Sequence, residues 1–141
     1  MKTRLLVLLM VVSGLLLFLL GSPALLYAFG TRAIITTVAG DGTACENATD
    51  LCGDNELASA AQLQNPFAAT VDKAGNIYFA DTGTNRIRKV ISPSGIITAV
   101  AGTITGGFNG DNQLAVTALL SNPIGVGLDE AGNLYIRYVA K

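Results

Sequence analysis

The chain repeats one long phrase, and this internal repeat limits the fold more than any other feature of the sequence. The segment "GDNELASAAQLQNPFAATVDKAGNIYF" (53–79) returns as "GDNQLAVTALLSNPIGVGLDEAGNLYI" (110–136), and "IITTVAG" (34–40) returns as "IITAVAG" (96–102). The two offsets differ by five residues, which places an insertion in the loop between 40 and 53. A period in this range, with several short strands in each copy, is typical of a β-propeller blade.

One copy contains four short segments that favour β-structure. They are "FAATV" (67–71), "IYFAD" (77–81), "RIRKVI" (86–91) and "IITAVA" (96–101), separated by "DKAGN", "TGTN" and "SPSG". We predict an all-β fold in which each blade is an antiparallel meander of four strands. A β-sandwich or β-solenoid would not predict a four-strand unit with one long loop per copy.

Two local patterns add detail to the predicted meander. Odd and even positions of "IYFA" are both apolar, which indicates a strand buried on both sides between neighbouring blades. In the turn that precedes it, we expect Asp72 to bond backbone amides ahead of it, and Gly75 and Asn76 to adopt positive φ.

The N-terminus has the pattern of an export signal. Residues 5–30 are uncharged and follow Lys2 and Arg4, so a basic region leads an apolar one. The prediction for residues 1–28 is a hydrophobic signal helix, cleaved after Ala24 or Ala28. The run is also long enough to cross a bilayer, which needs about 20 residues, so an uncleaved membrane anchor is the alternative. In either case the chain is expected outside the cytoplasm, secreted, periplasmic or membrane-anchored.

The charge of the chain argues against nucleic acid as a partner. Removal of Lys2 and Arg4 with the signal leaves seven basic and ten acidic residues, a formal charge of −3. Binding a polyanion depends on a clustered basic surface. The one basic cluster, Arg86, Arg88 and Lys89, is predicted to form the solvated side of a strand.

Cys45 and Cys52 are the two cysteines, with six residues between them. In an exported chain, an even pair at short spacing indicates a disulfide. Free thiols are the alternative. A structural zinc site is disfavoured because the sequence has no histidine and no further cysteine. Asn47, in "NAT", is a glycan acceptor only in a host that glycosylates.

The NHL repeat is the family motif that two segments resemble: "NPFAATVDKAGNIYFADTGTNRIRKV" (65–90) and "GIITAVAG" (95–102). Together with the N-terminal export pattern, they make the chain similar to exported NHL-repeat β-propeller proteins of the bacterial type. The resemblance covers residues 33–136. It implies a propeller, typically six-bladed, that serves as a binding platform and in some relatives as an enzyme scaffold. On this basis residues 29–141 form a partial propeller, with one full blade (67–101) and parts of two others (33–39 and 124–136).

The sequence offers little for catalysis. Without histidine there is no catalytic triad and no imidazole base. Amidating-lyase relatives of NHL propellers use histidine-bound metal, so their chemistry cannot be transferred to any position here. We predict no cofactor; a calcium or magnesium site is the alternative, but a solvated acidic loop is favoured. The acidic residues of that loop are Asp41, Asp50, Asp54 and Glu56.

Strand order predicts where a ligand would bind. In an antiparallel meander alternate turns lie at opposite ends, so the turn 82–85 and the connections 41–66 and 103–123 share one face, and the two short hairpins share the other. Binding residues tend to lie on such loops. A turn-forming role is favoured for the aspartate of "ADTGTN", and packing with a hydroxyl partner for Tyr78 and Tyr135. The candidate ligand-face residues are Asp54, Asp81, Thr82, Thr84, Asn85 and Asp111.

Two functions follow as hypotheses. The favoured one is an extracytoplasmic interaction module that presents this loop face to a protein, peptide or glycan. The alternative is part of a metal-dependent propeller hydrolase or lyase.

The number of blades adds a further expectation. The chain carries fewer than two blades, whereas a propeller closes with about 4 to 8. We therefore expect one side of "IYFA" to be exposed and residues 134–136 to form an unpaired edge. This predicts a non-functional fragment shortened near Arg137, or a chain that self-associates or pairs with a complementary fragment.

Overall fold

The computed structural model describes residues 34–46 and 51–138. Thr36–Lys141 form one compact unit and Met1–Ile35 a second, of which only the last two residues are described. The predicted signal segment, 1–28, lies outside the described residues. Within them, no helix has the length and apolar character needed to span a membrane.

The described chain is all-β, as predicted. It contains six strands: β1 (Pro66–Val71), β2 (Ile77–Asp81), β3 (Arg86–Ile91), β4 (Ile96–Ala101), β5 (Pro123–Leu128) and β6 (Leu134–Tyr138). Strands β1 to β4 form one sheet in the order β1-β2-β3-β4, with every pair antiparallel, and β5 and β6 form a second antiparallel sheet. Three short 3-10 turns lie in the connections, at Ala58–Ala60, Thr82–Thr84 and Ala115–Thr117. The predicted four-strand meander of residues 67–101 is confirmed.

The two β-hairpins of the repeated phrase have the same turn. The Asp72 carboxylate accepts hydrogen bonds from the amides of Ala74 and Asn76, both at 2.9 Å, as predicted. Gly75 has φ 84°, but the prediction of positive φ for Asn76 is wrong. The Asn76 side chain instead donates to Asp72 and accepts from the amide of Ser92, so the residue ties the turn to the next hairpin.

The strand predicted at 33–39 is not present. Residues 34–39 carry no strand, and Ile35 and Val38 are exposed. A β-strand needs a hydrogen-bonded neighbour, and in the described part of the chain this segment pairs with no strand. Its contact with the fold is made by Ala39, which packs on the core, and by the Gly40 amide, which donates to the Ala58 carbonyl at 2.8 Å.

One face of the β1–β4 sheet is covered by the long connection before β1. We call this the front face; Phe79, Val90 and Ile97 are buried there against Ala58 and Ala61. Burial of a large apolar side chain contributes about 1.5–3 kcal/mol. This connection therefore completes a core over β2, β3 and β4.

The opposite, back face of the same sheet is covered by the second repeat. Ala80, Ile87 and Ala101 are buried with Leu120, and β5 and β6 pack Val126, Leu134 and Ile136 against them. Strand β2 is thus buried on both sides, with Phe79 at 6% and Ala80 at 0% exposure. The expectation that one side of "IYFA" would be exposed is wrong, because the loop covers one face and the second repeat covers the other.

Strand β6 forms an open edge. In the described residues it pairs with β5 and with no third strand, and Tyr135 is 63% exposed. The unpaired edge predicted at 134–136 is confirmed, and the strand continues to Tyr138.

Candidate functional site

Three connections meet at one end of the β1–β4 sheet, as strand order predicted. Asn85 joins the turn 82–85 to the connection before β5: its side-chain amide donates to the Ile104 carbonyl at 3.2 Å and accepts from the Asn122 amide at 2.9 Å. The Gly83 amide joins the same turn to the connection before β1 by donating to the Gln64 carbonyl at 2.8 Å. The Thr82 hydroxyl donates to the Pro123 carbonyl at 2.6 Å. We call the surface formed by residues 41–46, 51–65, 82–85 and 103–122 the loop face.

The two short hairpins lie together at the other end. The Lys73 ammonium donates to the Glu130 carbonyl at 3.5 Å. A groove of about 440 Å³ separates the hairpins and is lined by residues 71–74 and 128–132.

A buried ion cluster lies beneath the loop face. The Asp54 carboxylate pairs with Arg86 at 3.0 Å and with Arg88 at 2.9 Å, and Arg88 also approaches Asp81 at 3.4 Å. Arg86 is 5% and Arg88 0% exposed. The predictions that these arginines are solvated, and that Asp54 belongs to a solvated acidic loop, are therefore wrong.

Strand register explains why the two arginines point inward. Arg86 lies opposite Asp81 and Arg88 opposite Phe79, so both share the front face with the apolar core. Lys89 has the other parity, and its ammonium lies 5.1 Å from the centre of the Tyr78 ring. Sequence alone could not identify the buried pair because the partner, Asp54, comes from a loop more than thirty residues earlier.

The disulfide loop is attached to this cluster. Cys45 and Cys52 form the predicted disulfide, with 5.5 Å between their Cα atoms, and both residues are buried. The Cys52 carbonyl accepts a hydrogen bond from Arg88 at 2.9 Å, and the Gln62 carbonyl accepts another at 2.8 Å. Arg88 therefore fixes both ends of the segment that covers the front face.

Asp81 and Thr84 make hydrogen bonds that hold the turn and the connection before β1 in place. Asp81 is fully buried and accepts from the Gln64 amide at 2.7 Å, while the Thr84 hydroxyl donates to the Asp81 carbonyl at 3.0 Å. The structural role favoured for Asp81 agrees with these contacts. The structure thus brings Asp54, Asp81, Thr82, Thr84 and Asn85 together below or within the loop face.

Asp111 lies apart from this group. It occupies the same place in "GDN" as Asp54, yet it is exposed, and in the described part of the chain its carboxylate makes no ion pair. Asp54 pairs with the two arginines of β3, and the described residues of the second copy include no counterpart of β3.

The acidic loop contains no metal centre in its described part. The Asp41 carboxylate accepts hydrogen bonds from the amide and hydroxyl of Thr43, which lower its pKa. Asp54 is neutralised by arginines, and Asp50 lies outside the described residues. Across residues 34–46 and 51–138, no group of three or more acidic or cysteine side chains is placed to hold a metal ion.

Tyr78 and Tyr135 each find the expected hydroxyl partner. Tyr78 donates to Asp72 at 3.3 Å and Tyr135 to Asp129 at 3.2 Å, in equivalent turns. Tyr78 is half-buried, whereas Tyr135 lies on an uncovered surface.

The loop face also exposes apolar side chains that the sequence analysis did not single out. Phe108 is 64% exposed, and Leu51 and Leu114 are exposed as well. The signal was available in "GGFNG", where an aromatic residue stands alone among turn formers. Beside the disulfide loop lies a shallow cavity of about 620 Å³, lined by Thr37 and by residues 39–44 and 63–66.

Part of this chain is similar in sequence to known proteins. A family model for the Teneurin NHL domain matches residues 30–106. Teneurin-1 of Caenorhabditis elegans is 48% identical over 66 residues, and human Teneurin-4 is 48% identical over 67 residues. Each match covers 47% of this chain, which spans only 2% of the length of those relatives.

A solved structure shares the fold of this chain. A crystal structure of a protein of unknown function from Bacteroides thetaiotaomicron superposes with a TM-score of 0.54 at 26% identity, covering 65% of this chain and 23% of that one. The NHL resemblance noted in the sequence is thus confirmed. Since the family match spans more than half of the 141 residues, the chain belongs to the Teneurin NHL domain family.

Proposed function

We propose that the chain is an extracytoplasmic interaction module that binds a protein or peptide through its loop face. The observation that carries this proposal is that three connections, joined through Gly83 and Asn85, form a loop face that exposes apolar side chains. An NHL domain implies a protein-interaction role in general.

The exposed side chains are held on an ordered frame. Asn109, next to Phe108, donates to the Thr117 carbonyl at 3.1 Å and accepts from the Leu119 amide at 2.9 Å. These bonds close the loop that displays Phe108. Aromatic anchors on preorganised surfaces carry much of the binding energy at protein interfaces, because little conformational entropy is lost on binding.

The disulfide supports a location outside the cytoplasm. Disulfides persist in oxidising compartments and are rare where thiols are kept reduced. The uncharged segment 5–30, preceded by Lys2 and Arg4, is the expected export signal.

The proposal can be tested by photo-crosslinking on the exported full chain. Benzoylphenylalanine is placed at Phe108 in one variant and at Ala74, an exposed residue of a hairpin at the opposite end, in a matched control. We expect a protein adduct from position 108 and none from position 74. Equal labelling at both positions, or none at 108, would contradict the proposal.

The same material distinguishes a glycan ligand. Adducts that disappear after protease treatment but resist glycosidases indicate a protein or peptide partner. Adducts that disappear only after glycosidase treatment would place a glycan on this surface and overturn the ligand class proposed here.

A further inference from the structure

Asn109 closes the loop that displays Phe108, and it does so at the position of a cysteine in the first copy. It corresponds to Cys52, since both residues precede the glycine of "GDN". The Cys52 carbonyl accepts from the Gln62 amide at 3.2 Å, and the Asn109 side chain accepts from the equivalent amide, that of Leu119, at 2.9 Å. The first copy adds a disulfide at this point, whereas the second copy has no cysteine.

Asn109 is also the one asparagine of the chain that is followed by glycine. The other eight are followed by alanine, glutamate, proline, isoleucine, arginine, glutamine or leucine. A glycine has no side chain to block the approach of its backbone nitrogen to the preceding side chain. Gly110 has φ 97°, an added Cβ would meet nothing within 4 Å, and its amide donates no hydrogen bond to another described residue. The Gly110 nitrogen is therefore accessible to the Asn109 side chain.

We propose that Asn109 is a site of deamidation, and that its conversion to a carboxylate opens the loop of Phe108. The Gly110 nitrogen, once its proton has passed to hydroxide, attacks the Asn109 Cγ and closes a cyclic imide. The Cγ–Nδ2 bond breaks, and the side-chain nitrogen takes a proton from water and leaves as ammonia. Water then opens the ring: cleavage at Cγ gives aspartate, and cleavage at the backbone carbonyl gives isoaspartate. The net reaction consumes one water, releases one ammonia and needs no oxidant.

The contacts of Asn109 favour the attack. When the Gly110 nitrogen adds to Cγ, negative charge develops on Oδ1, the oxygen that accepts from the Leu119 amide at 2.9 Å. A donor aimed at developing charge lowers the barrier of such a step. Asn109 and Thr117 are both exposed, so water can replace the hydrogen bond from Nδ2 to the Thr117 carbonyl while the side chain turns toward Gly110.

Conversion removes a donor that closes the loop. Nδ2 lies 3.1 Å from the Thr117 carbonyl oxygen, and a carboxylate oxygen in its place is an acceptor only, so the two oxygens repel each other. Because both side-chain atoms belong to one planar group, the carboxylate cannot keep its contact with the Leu119 amide without this repulsion. Isoaspartate also lengthens the backbone by a methylene. The effect on ligand binding rests on the proposed function, whereas the conversion does not.

Ageing of the full chain in mild detergent tests the chemical step. The folded chain is incubated at mildly alkaline pH, digested and fragmented, and the mass gain of each amide-to-acid exchange is assigned to its residue. Asn112 is the internal control, since it is exposed in the same loop but followed by glutamine. We expect Asn109 to convert faster than Asn112 by about tenfold or more. The rate should rise with pH, because the attack needs the deprotonated nitrogen.

Hydrogen exchange tests the structural step. Asn109→Asp reproduces one product of the reaction, and Asn112→Asp adds the same charge to the same loop as a matched control. The Leu119 amide should exchange faster by about threefold or more in Asn109→Asp and in the aged chain than in the fresh chain. Asn112→Asp should leave this amide unchanged.

Three outcomes would overturn the proposal. Equal conversion of Asn109 and Asn112 would mean that Gly110 does not direct the reaction. An Asn109 that is unchanged in the folded chain but converts in urea would mean that the fold protects it. Equal exchange of the Leu119 amide in the two aspartate variants would mean that the loop does not depend on Asn109. Conversion at 109 without a photo-adduct from position 108 would support this site and contradict only the proposed function.

Discussion

Asp54 and Asp111 stand at the same position of the repeated "GDN" and have different environments. Asp54 is buried between two arginines of β3, while Asp111 is exposed to solvent. A buried carboxylate is tolerated only where opposite charges and hydrogen-bond donors surround it. The identity of a residue therefore does not fix its role, even within a repeat of one chain; the strand that packs above it does.

This pair gives a direct mutational test. Asp54→Ala removes the carboxylate that pairs with both buried guanidinium groups, Arg86 and Arg88, which should reduce the free energy of unfolding by about 3–5 kcal/mol. Asp111→Ala should change it by less than about 0.5 kcal/mol. Urea denaturation of both variants measures the difference, and equal losses would show that the ion cluster does not hold the fold.

The turn aspartates predict that the stability of the fold decreases at acidic pH. The Asn76 side chain lowers the pKa of Asp72, and the Asn133 side chain lowers the pKa of Asp129. Both pKa values in the folded chain thus lie below the unfolded value of about 3.9. The resulting stabilisation is complete above the unfolded pKa and is lost as the pH falls through the folded pKa.

Denaturation at a series of acidic pH values checks this sign. The free energy of unfolding should decrease as the pH falls below about 4, and the decrease should be smaller in an Asp72→Asn, Asp129→Asn double variant. Identical slopes in the two proteins would mean that these hydrogen bonds do not favour the charged carboxylates.

At the level of strands and loops, local sequence patterns predicted the structure wherever a strand pairs with a neighbour that is near in sequence. The meander of β1 to β4 and its turns followed from β-favouring segments and turn residues, because antiparallel neighbours pair through short hairpins. The inward direction of Arg86 and Arg88 could not be predicted, since it depends on Asp54 in a distant loop. The missing strand at 34–39 has the same cause: strand propensity was present, but a pairing partner was not.

Gly102 joins the end of β4 to the loop face. Its φ is 84°, and an added Cβ would collide with the Asn85 carbonyl and lie 3.1 Å from the Arg86 Cα. Gly102→Ala should therefore lower the free energy of unfolding by about 2–4 kcal/mol through strain and overpacking. Gly95→Ala is the control: φ is 72° but the space is open, so only the backbone strain of about 1–2 kcal/mol remains. Thermal and urea denaturation compare them, and equal effects would contradict the close approach.

The disulfide closes a short loop over the ion cluster. In the chain-entropy model, a bridge of this span contributes about 2–3 kcal/mol. Reduction, or a Cys45→Ser, Cys52→Ser double variant, should lower the melting temperature, and the variant should not respond to reductant. Alkylation of the non-reduced protein followed by mass measurement is the check. Two reactive thiols in that sample would rule out the bridge.

At the level of the whole molecule, the sequence predicted a four-strand blade but not which parts of the chain cover its two faces. The repeat period and the apolar alternation of "IYFA" indicated blades that pack face to face. A disulfide-linked loop covers one face of β2, and β5 and β6 cover the other. This coverage could not be predicted, because both contacts join residues far apart in the chain. The loop face followed from strand order alone, whereas the exposure of Phe108 required the structure.

In the described residues, β2 of the first copy is hydrogen-bonded on both sides and buried on both faces, whereas β6 of the second copy is hydrogen-bonded on one side only. Hydrogen exchange followed by mass spectrometry on the full chain compares "NIYFAD" (76–81) with "NLYIRY" (133–138) in one experiment. We predict slow exchange in the first segment, where β2 is paired on both sides. Fast exchange is expected at alternate amides of the second, where β6 is paired on one side. Equal protection of the two segments, or fast exchange in "NIYFAD", would contradict this account of the fold.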